Sequence, residues 1–280
     1  MTRSLEEIHA RLVAGIEGLV SSDEWRAMLE VSARFHNYSF NNQLLIYLQC
    51  PEATRVAGYR AWQRLGRQVR KGERGIKILA PCRRHMSPVK AEGEQDEAER
   101  VEILTGFRVV HVFDVSQTEG DELADVRPRR LTGEVPQQLI DALERRVTDE
   151  GFTIRREAIA RSARNGYADF ERHLVVLRDD LSGAQAAKTL IHELAHVLLH
   201  QDTDLSERDI AEVEAESVAF VVSSSMGLDT SDYSFPYVAR WGGGDAELVA
   251  ATAGRVVAAA RNLLASIGHA SENEASSASG

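Results

Sequence analysis

The run His192-Glu193-Leu194-Ala195-His196 constrains this chain more than any other feature. Thr189-Leu190-Ile191 precede it and Val197-Leu198-Leu199 follow it. The segment therefore reads as a buried helix whose apolar stripe runs through Ile191, Leu194, Ala195 and Leu198. On a helix, residues four apart lie on one face, one turn apart. Two neutral imidazoles at that spacing can chelate one zinc ion. Glu193 sits beside the first histidine without competing for the metal. It is placed to take a proton from activated water and pass it to a leaving amine. Two histidines can also fall on a purely structural helix. The apolar flanks, a strand ahead and a carboxylate-rich helix behind favour the metal.

A hydrolytic zinc site needs a third protein ligand and one open position. The following helix offers Glu212, Glu214 and Glu216, with Ser206 and Asp209 as its N-cap pair and Ala211, Ala215, Val218, Ala219 and Val222 as its core stripe. Glu212 and Glu216 flank that stripe on one edge and Glu214 on the other. An i, i+4 pair lets one carboxylate bind the metal while the other holds a ligating histidine. This selects Glu212 as ligand and Glu216 as orienting acceptor, and leaves one or two of the three acids free to be a solvated face. His200, one turn beyond His196, is a rival ligand or a cap on the helix C-terminus.

A chain of 280 residues admits two modest domains, or one large one with an appendage. Its 43% hydrophobic and 27% charged content is that of a globular protein, which excludes a disordered chain. No run of about 18 uncharged apolar residues is present, so no membrane span is expected. Glu6 and Glu7 stand where a signal peptide needs an apolar stretch. Cys50 and Cys82 form no metal or redox pattern, and a cytoplasmic location is expected.

The net charge of -10 conceals an asymmetry. Residues 55–84 hold ten basic residues against the single acid Glu73, a local balance of +9 that leaves -19 on the rest. A basic surface on an acidic chain suggests an anionic partner at that surface. Single-stranded nucleic acid is held by a basic groove and by aromatic faces on which bases stack. Arg60, Arg64, Arg67, Arg70, Lys71, Arg74 and Lys77 supply charge, and Trp62 and Tyr59 offer stacking faces unless they are core residues. Asn41, Asn42 and Gln43 suit backbone or base contacts, or core cross-links.

Periodicity gives helices followed by strands in the first half. Leu5, Ile8, Leu12 and Ile16 mark one helix, and Ser21 with Glu24 caps a second through Trp25, Met28 and Leu29. A third covers 41–48, and a short one runs from Tyr59 to Leu65, ended by Gly66. Ile76 to Leu79 reads as a strand stopped by Pro81, and Val101 to Val115 as a second; the acidic stretch 87–100 between them reads as a hairpin tip or loose loop. The second half opens with a helix between Pro136 and Gly151, then strands at 153–156 and 173–177. Helices follow at 183–200, 207–226 and 245–266. The fold class is α+β. The division is 1–122 as a first domain, 123–135 as linker, 136–268 as a second domain and 269–280 as a disordered tail.

His192–His200 together with Glu212-Val213-Glu214-Ala215-Glu216-Ser217-Val218-Ala219-Phe220 resembles the ImmA/IrrE-type minimal metallopeptidases of the gluzincin group. In that family the third zinc ligand is a glutamate four residues before an Asn or Asp. Glu216 stands at the Asn/Asp position, a departure from the pattern, and the matching ligand is Glu212. In the first half, four segments resemble, in order, the N-terminal domain of ArdC-type antirestriction proteins. These are Phe40-Asn41-Asn42-Gln43-Leu44-Leu45-Ile46, Gly58-Tyr59-Arg60-Ala61-Trp62, Gly66-Arg67-Gln68-Val69-Arg70-Lys71-Gly72-Glu73 and Val112-Phe113-Asp114-Val115-Ser116-Gln117-Thr118. That resemblance implies single-stranded DNA binding ahead of a zincin domain.

The expectation is a protein that binds single-stranded DNA and carries a Zn2+-dependent metallopeptidase site. Its peptide would pair by β-augmentation with the strand at 173–177, and Tyr167, Tyr233 or Tyr237 would face the oxyanion. The rival is a DNA-protecting protein whose zinc is structural. A DNA mimic fits poorly, because its contact face should be acidic and residues 55–84 are basic.

Overall fold

Buried apolar stripes at helical and strand spacing divide the chain between two units. The computed structural model describes residues 2–19, 21–86, 101–123, 134–159, 164–201, 208–233, 235 and 245–277. Residues 1–13 and 44–122 form one unit, and residues 14–43 and 123–280 the other. The chain is α+β throughout. The sequence places 14–43 with the first 122 residues, whereas in the structure they group with the second half. The 124–133 part of the expected linker, the 87–100 loop and Ser206 lie outside the described residues.

The first unit is built on a three-stranded antiparallel sheet of order β1-β4-β3, from β1 (Val56–Gly58), β3 (Ile76–Met86) and β4 (Val101–Asp114). A two-stranded ribbon pairs β2 (Arg67–Val69) with β5 (Thr118–Gly120). Pro81 does not stop β3, which continues to Met86 and bulges between Cys82 and Arg83. β3 is an edge strand, and a residue without an N–H is tolerated there. The short α4 (Tyr59–Arg64) packs beside β1 and β2. Gly120, at φ 132°, lets the ribbon close: a Cβ there would lie 2.3 Å from the Gly66 carbonyl oxygen.

Asp114 is the polar anchor of this unit. It is 1% exposed, and its carboxylate accepts from the backbone N–H groups of Thr54, Arg55 and Ser116 at 2.8, 3.0 and 2.8 Å. Gln117 closes a reciprocal cap by accepting from the Asp114 N–H at 3.0 Å. Burial pushes the Asp114 carboxyl up, but the hydrogen bonds outweigh it and hold the group below the usual carboxylate value.

Among the described residues the second unit has a three-stranded sheet of order β6-β8-β7. Its helices are α2 (Ser22–Arg34), α5 (Gln137–Asp149), α6 (Gly183–Leu199), α7 (Arg208–Ser225) and α8 (Ala246–Ser277). Its strands are β6 (Thr153–Glu157), β7 (Gly166–Asp169) and β8 (Leu174–Arg178). α5 and α6 pack on the sheet, and the further helices pack on those two and on one another. Ser21 caps α2 by accepting from the Glu24 N–H, as its sequence implies. α2 belongs here because Trp25, Met28 and Leu29 are wholly buried, and the Trp25 indole donates to Ser217 of α7 at 2.9 Å. Gln43 is a core cross-link: its amide donates to the carbonyls of Phe35 and Tyr38 and accepts from Ser32. α8 runs past 268 into the Ser/Ala/Glu residues read as a disordered tail. Its Ala246–Gly268 stretch is long and apolar enough to cross a membrane. One stripe of it, through Val249, Ala253, Val256 and Leu263, is nevertheless buried, and the helix packs on α5, α6 and α7.

Two outcomes are expected. Asp114→Asn weakens the charge-assisted bonds and destabilises the first unit by about 1.5–3 kcal/mol at neutral pH. Because the folded carboxyl lies below its unfolded value, its stabilisation is complete above the unfolded pKa and lost as pH falls through the folded pKa. Denaturant titrations by circular dichroism across pH 2–7 should therefore show a shallower acid loss in the variant; an equal loss in both chains would refute the anchor. A fragment beginning at Leu123 lacks α2 and strips the cover from α7. It should be insoluble or show a broad, weakened melt by calorimetry.

Candidate metal centre

The second unit brings His192, His196 and Glu212 together, with ligand atoms all within 4.8 Å of one another. The Nε2 atoms of the two histidines face each other at 3.2 Å, and Glu212 Oε2 lies 3.7 Å from each. Tetrahedral ligands about 2 Å from one zinc ion lie roughly 3.3 Å apart, so this donor set fits a divalent cation. Both ring Nδ1 atoms are already engaged elsewhere. His192 Nδ1 lies 3.3 Å from Glu216 Oε2 and His196 Nδ1 lies 3.0 Å from His200 Nδ1. Bare Nε2 lone pairs this close repel one another unless a cation lies between them.

Electrostatics acts differently on the two histidines. Burial pushes His196 below its usual value, toward the neutral form that a ligand needs. Burial also works against charge on His192, but the Glu216 hydrogen bond and the charges of Glu193 and Glu212 outweigh it and raise the group. Glu193 is 7% exposed, and burial pushes its carboxyl up to about 7 despite the neighbouring His192 and a hydrogen bond from the Ala168 N–H. A carboxyl poised near neutrality is suited to taking and returning a proton.

These residues floor a cleft of about 880 Å³ whose wall includes Gly166, Tyr167 and Ala168 of β7. Among the described residues β7 is an edge strand, while β8, at 174–178, is paired on both sides by β6 and β7. The strand read from sequence at 173–177 therefore has no free edge for a peptide, and β7 is the edge beside the metal residues. Gly166 permits this placement: a Cβ there would come within 2.7 Å of the Val176 carbonyl oxygen and 2.8 Å of the Thr189 side chain. Of the three tyrosines, Tyr167 lines the cleft beneath the Arg164 guanidinium, 4.2 Å from its ring. The Tyr233 hydroxyl is turned to Ser223 at 3.2 Å and buried. Tyr237 lies outside the described residues.

The basic segment is more divided than its charge suggests. Trp62 is wholly buried and donates from its indole to the Phe113 carbonyl at 2.9 Å, so it cannot stack on a base. Arg67 is spent on the β2–β5 ribbon, bonding Thr118, Gly120 and Asp121. Arg70 pairs with Glu73 at 2.9 Å and donates to the Ser116 carbonyl, and the Lys77 amine lies 3.7 Å from Glu7. Arg60, Arg64, Lys71 and Arg74 are exposed. Tyr59 is 43% exposed and lines a shallow depression with Arg70 and Lys71. Of the two aromatic faces the sequence offers, Tyr59 is exposed and Trp62 is buried.

Residues 2–113 match the family model for the N-terminal domain of anti-restriction factor ArdC, and residues 147–231 match that for the IrrE N-terminal-like domain, a peptidase family. The chain joins an ArdC-type N-terminal domain to an IrrE-like domain. The IrrE-like match contains α6 and α7, and with them the whole metal cluster. The ArdC-type match contains Tyr59, Arg70 and Lys71 of the depression, while Ser116, Thr118, Gly120 and Asp121, which hold Arg67 and Arg70, follow it in sequence. Two solved structures of the antirestriction protein ArdC from plasmid R388 share the fold. The metal-free form has a TM-score of 0.52 at 23% identity, covering 82% of this chain and 85% of that one. The Mn(II)-bound form has a TM-score of 0.50 at 22% identity, covering 86% and 97%. An uncharacterized protein of Bacillus anthracis is 28% identical over 273 residues, covering 84% of this chain and 46% of that protein. The chain thus spans about half the length of that relative.

The IrrE-like domain is expected to bind one divalent ion per chain. Elemental analysis of the purified full chain should show the ion lost in His196→Ala and in Glu212→Ala. Retention in Glu212→Ala would remove that carboxylate from the ligand set.

Proposed function

We propose that the chain is an antirestriction-type protein that binds single-stranded DNA through its ArdC-type domain and hydrolyses a peptide bond at a divalent-metal site in its IrrE-like domain. The observation that carries the hydrolytic half is the Nε2 pair of His192 and His196 with Glu212, with Glu193 at the cleft floor. Zn2+ suits two imidazoles and one carboxylate; the Mn(II) in an ArdC neighbour keeps manganese as a second candidate. When bound, the ion would act as a Lewis acid, polarising a carbonyl and lowering the pKa of water.

The chain's own residues would do the rest. An extended peptide laid along β7 would add a strand to the sheet, main chain to main chain. The Glu193 carboxylate would accept the proton of the attacking water and return it to the leaving nitrogen. The Ala168 N–H holds that carboxylate in place, which ties the base to the strand that aligns the substrate. Glu216 holds His192 through Nδ1. Tyr167 and Arg164, on the wall beside Glu193, are the groups placed to stabilise an oxyanion. A cytoplasmic setting remains part of the proposal.

The DNA-binding half rests on Tyr59 with Lys71 and the exposed arginines around it. The rival, a DNA-protecting protein with a structural metal, separates cleanly: its protection survives Glu193→Gln.

Glu193→Gln should keep the metal and the fold while hydrolysis falls about 10²–10⁴-fold, measured on a casein-type panel and by self-cleavage. Parental activity in this variant would rule out the proposed base. For DNA, the full chain is titrated with labelled oligonucleotides by fluorescence anisotropy across a salt series. Lys71→Ala with Arg74→Ala should flatten the salt slope by about 1.4 if both touch phosphate. Tyr59→Ala should weaken binding by roughly 1–3 kcal/mol with the slope unchanged. No binding at low salt would leave the basic surface to another anionic partner.

A further inference from the structure

α6 carries two imidazoles on one face and its C-cap residue, His200, adds a third that lies outside the metal cluster. His200 is 7% exposed, with Nε2 2.9 Å from Glu214 Oε2 and Nδ1 3.0 Å from His196 Nδ1. Glu214 is 2% exposed, so it is no solvated acid. Its other oxygen, Oε1, accepts from Arg255 Nε on α8 at 2.6 Å, and Arg255 also donates to Thr252 at 3.2 Å. A continuous chain of bonds therefore runs from α8 through α7 into the first histidine row of α6.

With a single N–H on His200, the hydrogens in this chain follow by elimination. An ionised carboxylate only accepts, so His200 donates from Nε2. A neutral imidazole carries one N–H, so His200 Nδ1 is bare and must accept. The proton in the contact between the two rings then belongs to His196 Nδ1. That leaves His196 Nε2 as a lone pair, and Nε2 is the atom 3.2 Å from His192 Nε2 and 3.7 Å from Glu212. The opposite arrangement would set a hydrogen in the centre of the ligand cluster. Arg255 offsets the charge of Glu214.

We propose that Glu214, acting through His200, is a positioning relay that fixes His196 in the tautomer and orientation in which Nε2 meets a divalent cation, with Arg255 holding the carboxylate. The proposal rests on reading His192, His196 and Glu212 as a metal site. Which ring nitrogen of a histidine is metallated is set by the bond that the other one makes. Here that bond goes to a second histidine, and the carboxylate sits one residue further out.

The test uses the full chain and zinc ions alone. Long-range proton–nitrogen spectra of the zinc-loaded parent should show His196 protonated at Nδ1 and His200 at Nε2. Competition with a chromogenic chelator should show His200→Phe binding zinc about 10–100-fold more weakly. His200→Gln should stay within about 5-fold of the parent, because an amide offers one acceptor and one donor in place of the two ring nitrogens. A side chain that only filled space would give the reverse order, with Phe tolerated better than Gln. His196 metallated at Nδ1, or His200→Phe with parental affinity and an unchanged melt, would overturn the relay. If His200→Phe fails to fold, the parent's spectrum still decides. Should the parent bind neither zinc nor manganese, the metal reading falls and takes the relay with it. Should the parent bind zinc, His196→Ala lose it and His200→Phe keep it, the relay alone falls.

Discussion

Polar groups buried between two helices need partners, and the interface of α6 and α7 meets that need with imidazole–carboxylate pairs. His192 faces Glu216 and Glu212, His196 faces Glu212, and His200 faces Glu214. His200 and Glu214 are the buried pair, 7% and 2% exposed, and either left unpaired would cost several kcal/mol. The pairing therefore fixes the register of the two helices, and the register in turn places two Nε2 atoms and one carboxylate around a common point. Glu193 belongs to the same system. It is buried beside His192 and tied to the backbone of β7 through Ala168, so the proposed base is held at the sheet edge.

The cleft also depends on residues far from it in sequence. Arg26 of α2 donates to the carbonyls of Tyr233 and Thr230 at 2.9 and 3.2 Å, its guanidinium 5.2 Å from the Phe220 ring centroid. Ser22 donates to the Phe235 carbonyl at 2.8 Å. These bonds pin the segment after α7, including Asp232 and Tyr233 on the cleft wall. A helix from the first 43 residues is thus part of the structure that shapes the proposed hydrolytic site, although the ArdC-type match, at residues 2–113, includes it.

Local features were legible in the sequence, and pairings between distant elements were not. The helix read at 183–200 is Gly183–Leu199, and that at 207–226 is Arg208–Ser225, because apolar residues at a 3.6 period mark a buried face directly. The His192, His196 and Glu212 grouping followed from i, i+4 spacing on those helices. Trp62 was misread because a tryptophan beside arginines looks the same whether its ring faces solvent or the Phe113 carbonyl. β7 was missed because Gly-Tyr-Ala-Asp is too short and mixed to show alternation. Its place at the edge, which takes peptide pairing away from β8, depends on strand order. Glu214 sits on the far side of the α7 stripe from Glu212 and Glu216, as read. The cation that makes its burial affordable is Arg255, 41 residues later, and no local pattern points to it. His200 stands at the C-cap of α6, as read, but its side chain goes to Glu214 on another helix, which no local pattern shows.

Metal-loaded crystals measured at the absorption edge of the bound ion test the central claim most directly. The account predicts one anomalous peak in the second unit, within bonding distance of His192 Nε2, His196 Nε2 and a Glu212 oxygen, with Glu193, His200 and Glu214 off the metal. A peak bound by His200 or Glu214, or no peak at saturating zinc or manganese, would contradict it.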